Sequence, residues 1–321
     1  MTAAPTLASA PKLTSAQAAR LTANTALMAV AVAFILIAIK GWAWLASGSV
    51  SMLASLTDSG LDLATSLFSF FAVRYAAHPP DANHRFGHGK AEAFAGLFQA
   101  GLVAVSATLI AVEAATRLIA PRPVQAGLEG VAVMLVSIVF TAALVVAQTR
   151  AYRQTGSVAT AGDRAHYAAD LAANFVVIIG LAAGALWGLP WVDAVAGLMI
   201  ALWLGHGAWE VSRDSANHLM DHELPQADRA RIVTLAQEDP RIRRVHDLRT
   251  RAAGPYIHIQ FHADMDPDQT LVQAHDVVVA AENRIRAAYP AADIIIHPDP
   301  ADHAEPHGHE AFAERRGVET Q

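Results

Sequence analysis

Uncharged apolar stretches dominate the first two thirds of the chain. Leu21 to Ile39 contains no Asp, Glu, Lys or Arg, and after Lys40 the same pattern resumes from Gly41 to Leu56. Ala93–Val112, Gly130–Thr149, Leu171–Val192 and Ala194–Trp209 are also free of charge. A membrane-crossing helix needs about 20 mostly apolar residues. The pattern therefore predicts six spans, at roughly 23–46, 50–77, 91–119, 127–150, 162–186 and 191–210. The second is the least continuous, because Asp58 and Asp62 interrupt it, and the fifth carries His166 and Asp170 near its start. Residues 1–22 read as a polar segment with no cleavable leader pattern.

After about residue 210 charged residues become frequent, and 211–300 reads as a small α/β domain. Gln226–Glu238 suggests a helix. Arg244–Arg251 and Tyr256–Asp264 read as strands around a turn through Gly254-Pro255. In the second strand Ile257, Ile259 and Phe261 alternate with His258, Gln260 and His262, the period of a half-buried strand. Asp268 is the expected cap of a helix reaching Tyr289, and Asp293–His297 the last strand. The expected architecture is thus a six-helix transmembrane domain followed by a compact α-β-β-α-β domain, with a polar tail at 301–321.

Composition sharpens this picture. Of 321 residues, 54% are hydrophobic and 16% charged, against about 25% charged in soluble domains. The net charge of −6 argues against a nucleic-acid partner. With 15 His and no Cys, any metal must be held by imidazole and carboxylate groups, and thiolate chemistry is excluded. Lys12, Arg20, Arg74, Arg85, Lys90, Arg150, Arg153 and Arg164 fall on one side of the six-span arrangement, and only Arg117 and Arg122 on the other. Positive charge marks the cytoplasmic side, so both termini are expected there.

Asp58 and Asp62 are four residues apart and share one helix face; His166 and Asp170 repeat the spacing on another helix. Ionisable groups within a membrane normally face a partner or a hydrated path. Three carboxylates and one imidazole can build a tetrahedral site for Zn²⁺ or a similar ion. A buried Asp could instead cap a kink, and Asp58 has Thr57 and Ser59 beside it. Lys40 reads as a snorkelling or structurally bonded lysine, with a counterion to these acids as the alternative. Asp81, His84 and His88 form a second cluster in the loop after the second span, spaced so that a short loop can wrap a metal or simply form a polar turn. His246, His262, His275, His297 and Asp299 are spread over the α/β domain; His246, His262 and His297 fall on or at the ends of expected strands and could share a surface, with ordinary surface histidines as the alternative. A metalloprotease would want His-Glu-x-x-His, and His222-Glu223-Leu224-Pro225-Gln226 lacks the second His, so no enzyme is expected.

Four stretches taken together resemble the cation diffusion facilitator family of divalent-metal/proton antiporters, nearest its bacterial ferrous-iron and zinc efflux branch. They are Gly48 to Asp62, His84-Arg-Phe-Gly-His88-Gly-Lys90-Ala-Glu92, His166-Tyr-Ala-Ala-Asp170 and His246-Asp-Leu-Arg-Thr-Arg251. The resemblance covers about residues 20–300. It implies a homodimer in the lipid bilayer of a bacterial inner membrane, with protons as counter-substrate. It implies transport ligands Asp58, Asp62, His166 and Asp170, and a loop site of Asp81, His84 and His88. It further implies a paired-metal site of His246, His262, His275, His297 and Asp299, and an interlocking salt bridge between Lys90 and Asp221. Pro298 departs from relatives that carry a polar residue there, which bears on the second ion of the paired site. Asp58 together with His166 resembles the broader zinc, iron and cadmium group, giving Zn²⁺ first and Fe²⁺ or Cd²⁺ after it as substrate and regulatory ligand. A metal-gated channel or a membrane metal sensor is the alternative function. His303, His307 and His309 in the tail match nothing in the family pattern.

Overall fold

The computed structural model describes residues 13–47, 50–120, 128–187 and 191–302; the tail histidines, Lys12 and Arg122 lie outside them. The chain divides into two units: the residues up to His222 with the turn segment Ala252–Tyr256 form the first, and Glu223–Arg251 with the residues from Ile257 onward form the second.

Among the described residues the first unit has six long helices: α1 (Ser15–Ser47), α2 (Val50–Ala76), α3 (Ala91–Ile119), α4 (Leu128–Thr155), α5 (Val158–Trp187) and α6 (Trp191–Leu219). Among the described residues, four segments, Ser15–Ala46, Ala91–Ile119, Val131–Thr155 and Ala194–Leu219, are long and apolar enough to cross a membrane. α2 carries Asp58 and Asp62 within its length, and α5 carries Asp163, Arg164, His166 and Asp170 in its first half.

Two helices outrun the apolar stretches that announced them. α1 begins at Ser15, inside the segment read as polar. Thr14 and Gln17 cap it reciprocally: Gln17 N–H donates to Thr14 Oγ1 at 3.2 Å, and Thr14 N–H to Gln17 Oε1 at 2.9 Å. α6 continues past residue 210 to Leu219, where Asp221 takes a left-handed conformation (φ 55°) and His222 N–H reaches back to Asn217 O at 2.9 Å. That long return bond is the Schellman ending, which satisfies carbonyls left open at a helix terminus.

Small residues let these helices approach closely, as in membrane bundles generally. A Cβ added at Gly162 of α5 would stand 2.8 Å from Gln99 Cβ and 3.1 Å from Gly96 Cα of α3. One added at Gly96 would stand 2.6 Å from Ser215 Oγ of α6. Beside this crossing Ala29, Val32 and Leu36 of α1 pack on Leu144 and Tyr167, whose hydroxyl is 2.7 Å from Ser66 Oγ of α2.

The second unit comprises α7 (Gln226–Ala236), β1 (Arg244–Ala253), β2 (Tyr256–Met265), α8 (Leu271–Ala288) and β3 (Ala292–Pro300). The sheet order is β1-β2-β3; β2 and β3 run parallel, with His262 opposite His297 and Asp264 opposite Asp299. Ile259, Phe261, Ala263 and Met265 of β2 are buried together with Ile232 of α7, Val277, Ala281 and Ile285 of α8, and Ile294 and Ile296 of β3. Thr270, not Asp268, caps α8, in a capping box with Gln273. The lead into α7 is tied to β1 by Glu223, whose carboxylate accepts from the backbone and hydroxyl of Thr250.

Candidate metal-binding sites

Within the helical unit, α2 and α5 bring Asp62, His166 and Asp170 together, each offering a ligand atom within 4.8 Å of the others. His166 Nε2 lies 3.2 Å from Asp62 Oδ1 and 3.9 Å from Asp170 Oδ2. Helical spacing dictates this convergence: His166 and Asp170 stand one turn apart on α5 and face a single carboxylate of α2. Asp58, expected as a fourth member, is exposed one turn earlier on α2 and falls outside the group of three. Lys40 of α1 donates to Ser59 Oγ at 2.7 Å and to Ser55 O at 3.3 Å, so its ammonium is bonded to α2 at two positions that flank Asp58.

A cluster that sequence reading did not single out lies one turn before His166. Asp163 is 3% exposed, and its two carboxylate oxygens accept from Gln99 Nε2 of α3 at 3.2 Å and Gln148 Nε2 of α4 at 2.6 Å. Both glutamines are fully buried. Neutral glutamines inside apolar runs give little signal, but Asp163 extends the i, i+3, i+7 face of His166 and Asp170, and that was readable.

The loop between α2 and α3 gathers Asp81, His84 and His88. His84 Nδ1 lies 3.4 Å from Asp81 Oδ1, His88 Nε2 3.4 Å from Asp81 Oδ2, and the two imidazoles 3.2 Å apart. Backbone N–H groups of His84 and Asn83 donate to Asp81 and hold its carboxyl below the usual carboxylate range, which favours the ionised form a metal requires. His88 is buried while His84 and Asp81 are exposed, so the cluster opens to solvent on one side. Lys90 follows directly. Its ammonium is 3.0 Å from Asp221 Oδ1 and 3.2 Å from Leu219 O, both in the same chain.

In the α/β unit one face of the sheet carries His246 of β1, His262 and Asp264 of β2, and His297 and Asp299 of β3. Asp299 is the hub: its Oδ2 is 2.9 Å from His262 Nδ1 and 3.3 Å from His246 Nε2, and its Oδ1 3.2 Å from His297 Nε2. Burial would raise the Asp299 carboxyl, but the His262 hydrogen bond and the neighbouring imidazoles outweigh it and hold it below the ordinary range. Asp264, which sequence reading passed over, is 3.1 Å from His246 Nε2 and 2.8 Å from Arg244 Nε. The alternation that marked His258, Gln260 and His262 continues one step further to Asp264, so its place was legible. His275 is an exposed residue of α8 outside the His246, His262 and Asp299 group. Strand alternation turns Pro298 away from the His297 and Asp299 face, so within this sheet a side chain there is aimed elsewhere whatever its polarity.

Comparison with known proteins gives a consistent result. The cation efflux transmembrane domain profile matches residues 26–220, and that of the cation efflux protein cytoplasmic domain residues 224–301. The cation-efflux pump FieF of Shewanella oneidensis is 44% identical over 271 residues, covering 84% of this chain and 91% of the relative. The proteins of the same name from Cronobacter sakazakii and Klebsiella pneumoniae are each 39% identical, covering 88% and 92% of this chain and 93% and 98% of theirs.

Proposed function

Since this chain belongs to the cation efflux family, we propose that it exports Zn²⁺, with Fe²⁺ or Cd²⁺ as further substrates, from the cytoplasm in exchange for protons. The observation that carries this reading is the meeting of His166 with Asp62 and Asp170 between α2 and α5. One imidazole and two carboxylates are ligands of the borderline type that suits zinc, and Asp58 on the same α2 face completes a tetrahedral set. In this reading α2 and α5 cross the membrane with the other four helices, both termini face the cytoplasm, and the protein works as a homodimer in the bacterial inner membrane.

The chemistry of exchange follows from the donor set. A metal ligand must give up its proton, so Zn²⁺ and H⁺ compete for His166 and the carboxylates. Facing the cytoplasm, where proton activity is lower, the site takes the metal and releases protons. Facing outward it is reprotonated, and the metal leaves. Movement of helices about a fixed site supplies the alternation. The loop cluster of Asp81, His84 and His88 and the sheet cluster around Asp299 then bind cytoplasmic metal, and the second of these reports metal level through the dimer of α/β domains.

The deciding experiment is zinc flux into proteoliposomes of the purified protein, with and without an imposed pH gradient. Flux that follows the gradient, with proton movement of opposite sense, is the expected result, and Asp62→Ala abolishes it in a chain that still folds. Flux indifferent to the gradient would favour a metal-gated channel. Tight binding without flux would favour a sensor. Normal flux in Asp62→Ala would defeat the assignment of the site.

A further inference from the structure

We infer that Asp247 is a positioning residue for the sheet-face metal cluster: its left-handed backbone turns His246 out of the core face of β1 and onto the face that carries Asp299. The inference rests on the reading of that face as a metal site and adds to it the device that assembles it.

The argument is one of register. Gly254 and Pro255 form a two-residue turn between β1 and β2, so in an uninterrupted hairpin each step back along β1 matches a step forward along β2. Thr250 then stands opposite Ile259, and both are buried, at 3% and 0% exposure. Continuing by twos, Leu248 would stand opposite Phe261 and His246 opposite Ala263, whose side chain is wholly buried in the core. The period of two would therefore point His246 inward. It does not point there. His246 Nε2 is 3.1 Å from Asp264 Oδ1 and 3.3 Å from Asp299 Oδ2, and its ring centroid is 5.2 Å from that of His262. Arg244, two residues before, reaches the same Asp264. Side-chain parity thus reverses between Thr250 and His246. Asp247 lies in that interval with φ 50°, the only positive-φ residue of β1. A left-handed residue that adds one position to a strand is the geometry of a β-bulge, a known means of re-aiming a side chain.

The residue type fits the backbone role. Asp and Asn visit the left-handed region more readily than other non-glycine residues, and β-branched residues resist it. Asp247 Oδ2 is buried and makes no hydrogen bond, so that oxygen does not hold the bulge through a side-chain contact. A backbone device of this kind should tolerate Gly and reject Val.

The test uses the full chain with Asp62→Ala and His84→Ala, so that Zn²⁺ titration reports the sheet face. His246→Ala sets the scale, with about 10-fold or greater weakening expected. Asp247→Val should weaken Zn²⁺ binding by about as much, Asp247→Gly should stay within about threefold of the parent, and Asp247→Val should add nothing in a His246→Ala chain. Where Asp247→Val fails to fold, Asp247→Ala carries the same non-additivity test. Parent-like binding in Asp247→Val, equal losses in the Gly and Val variants, or effects that multiply with His246→Ala would each overturn the inference while leaving the metal site standing. Unchanged binding in His246→Ala alone would remove the site reading and the inference together.

Discussion

Lys90 Nζ lies 3.0 Å from Asp221 Oδ1, and Asp221 holds the left-handed position that ends α6. The same ammonium donates to Leu219 O, one of the carbonyls that a helix end leaves open. One lysine at the start of α3 therefore both caps α6 and pairs with the residue that terminates it.

This arrangement separates two contributions at residue 221. Both side chains of the ion pair are more than a third exposed, so the pair itself contributes no more than about 1 kcal/mol. The left-handed backbone is the larger constraint, at about 1–2 kcal/mol for an ordinary residue. Asp221→Gly should therefore lower the unfolding midpoint in detergent only slightly, and Asp221→Ala more. Lys90→Ala should fall with Asp221→Ala, because it loses the cap at Leu219 as well. Equal damage from the Gly and Ala variants would place the value of the site in the ion pair instead.

The glycines of the α3–α5 crossing make a prediction with an internal control. Gly162→Ala puts a methyl 2.8 Å from Gln99 Cβ and 3.1 Å from the Gly96 backbone, where no flexible side-chain end can yield. Overpacking of this kind costs about 1–3 kcal/mol. Gly101→Ala, on α3, meets nothing within 4 Å and should gain up to about 1 kcal/mol of helix propensity. Thermal melting of the two variants should move in opposite directions. A Gly162→Ala protein that melts like the parent would show that the helices can separate without cost.

Asp163 supports a third prediction. Its carboxylate satisfies buried amide donors from α3 and α4, while Gln99 Oε1 and Gln148 Oε1 are themselves buried without hydrogen bonds. Asp163→Ala strands both amides, at about 1–3 kcal/mol for each buried group left unpaired. Asp163→Asn should be milder. One glutamine can flip, so that its idle oxygen accepts from the new amide while the other still donates to the Asn oxygen. The expected melting order is parent, Asp163→Asn, Asp163→Ala. An Asn variant as unstable as the Ala variant would mean that the charge, not the hydrogen-bond count, holds the three helices.

What could be read in the sequence divides along physical lines. The six long helices were legible because burial in lipid or in a bundle writes continuous apolar runs. Their ends were not, because Thr14 with Gln17 and Asp221 with His222 set them by capping, which leaves no trace in hydropathy. The α/β order was legible from period-two alternation in β2. A surface shared by His246, His262 and His297 was legible from their places on strands, but not the route to it, since a single left-handed residue reverses the parity that a reader counts. Asp264 and Asp163 lay one step beyond patterns already in hand. His275 entered the cluster by residue type without a strand to place it, and it is an exposed residue of α8 outside the His246, His262 and Asp299 group.

The separation of Asp58 from its expected partners bears directly on metal binding. Asp62, His166 and Asp170 already converge, whereas Asp58 is exposed and must be drawn in for a fourth bond. A three-ligand zinc site with water in the fourth position is a stable arrangement in proteins. Asp58→Ala should therefore leave measurable Zn²⁺ binding between α2 and α5, weakened by about 10- to 100-fold on the scale of lost supporting contacts. Asp62→Ala and His166→Ala should abolish it, because each removes one side of the 3.2 Å contact on which the group is built. The comparison is made by Zn²⁺ titration of chains carrying His84→Ala and His246→Ala, which silences the other two clusters. Loss in Asp58→Ala as complete as in Asp62→Ala would mean that the fourth carboxylate is drawn in before the metal is held, and that the three-residue cluster is only the resting state of the site.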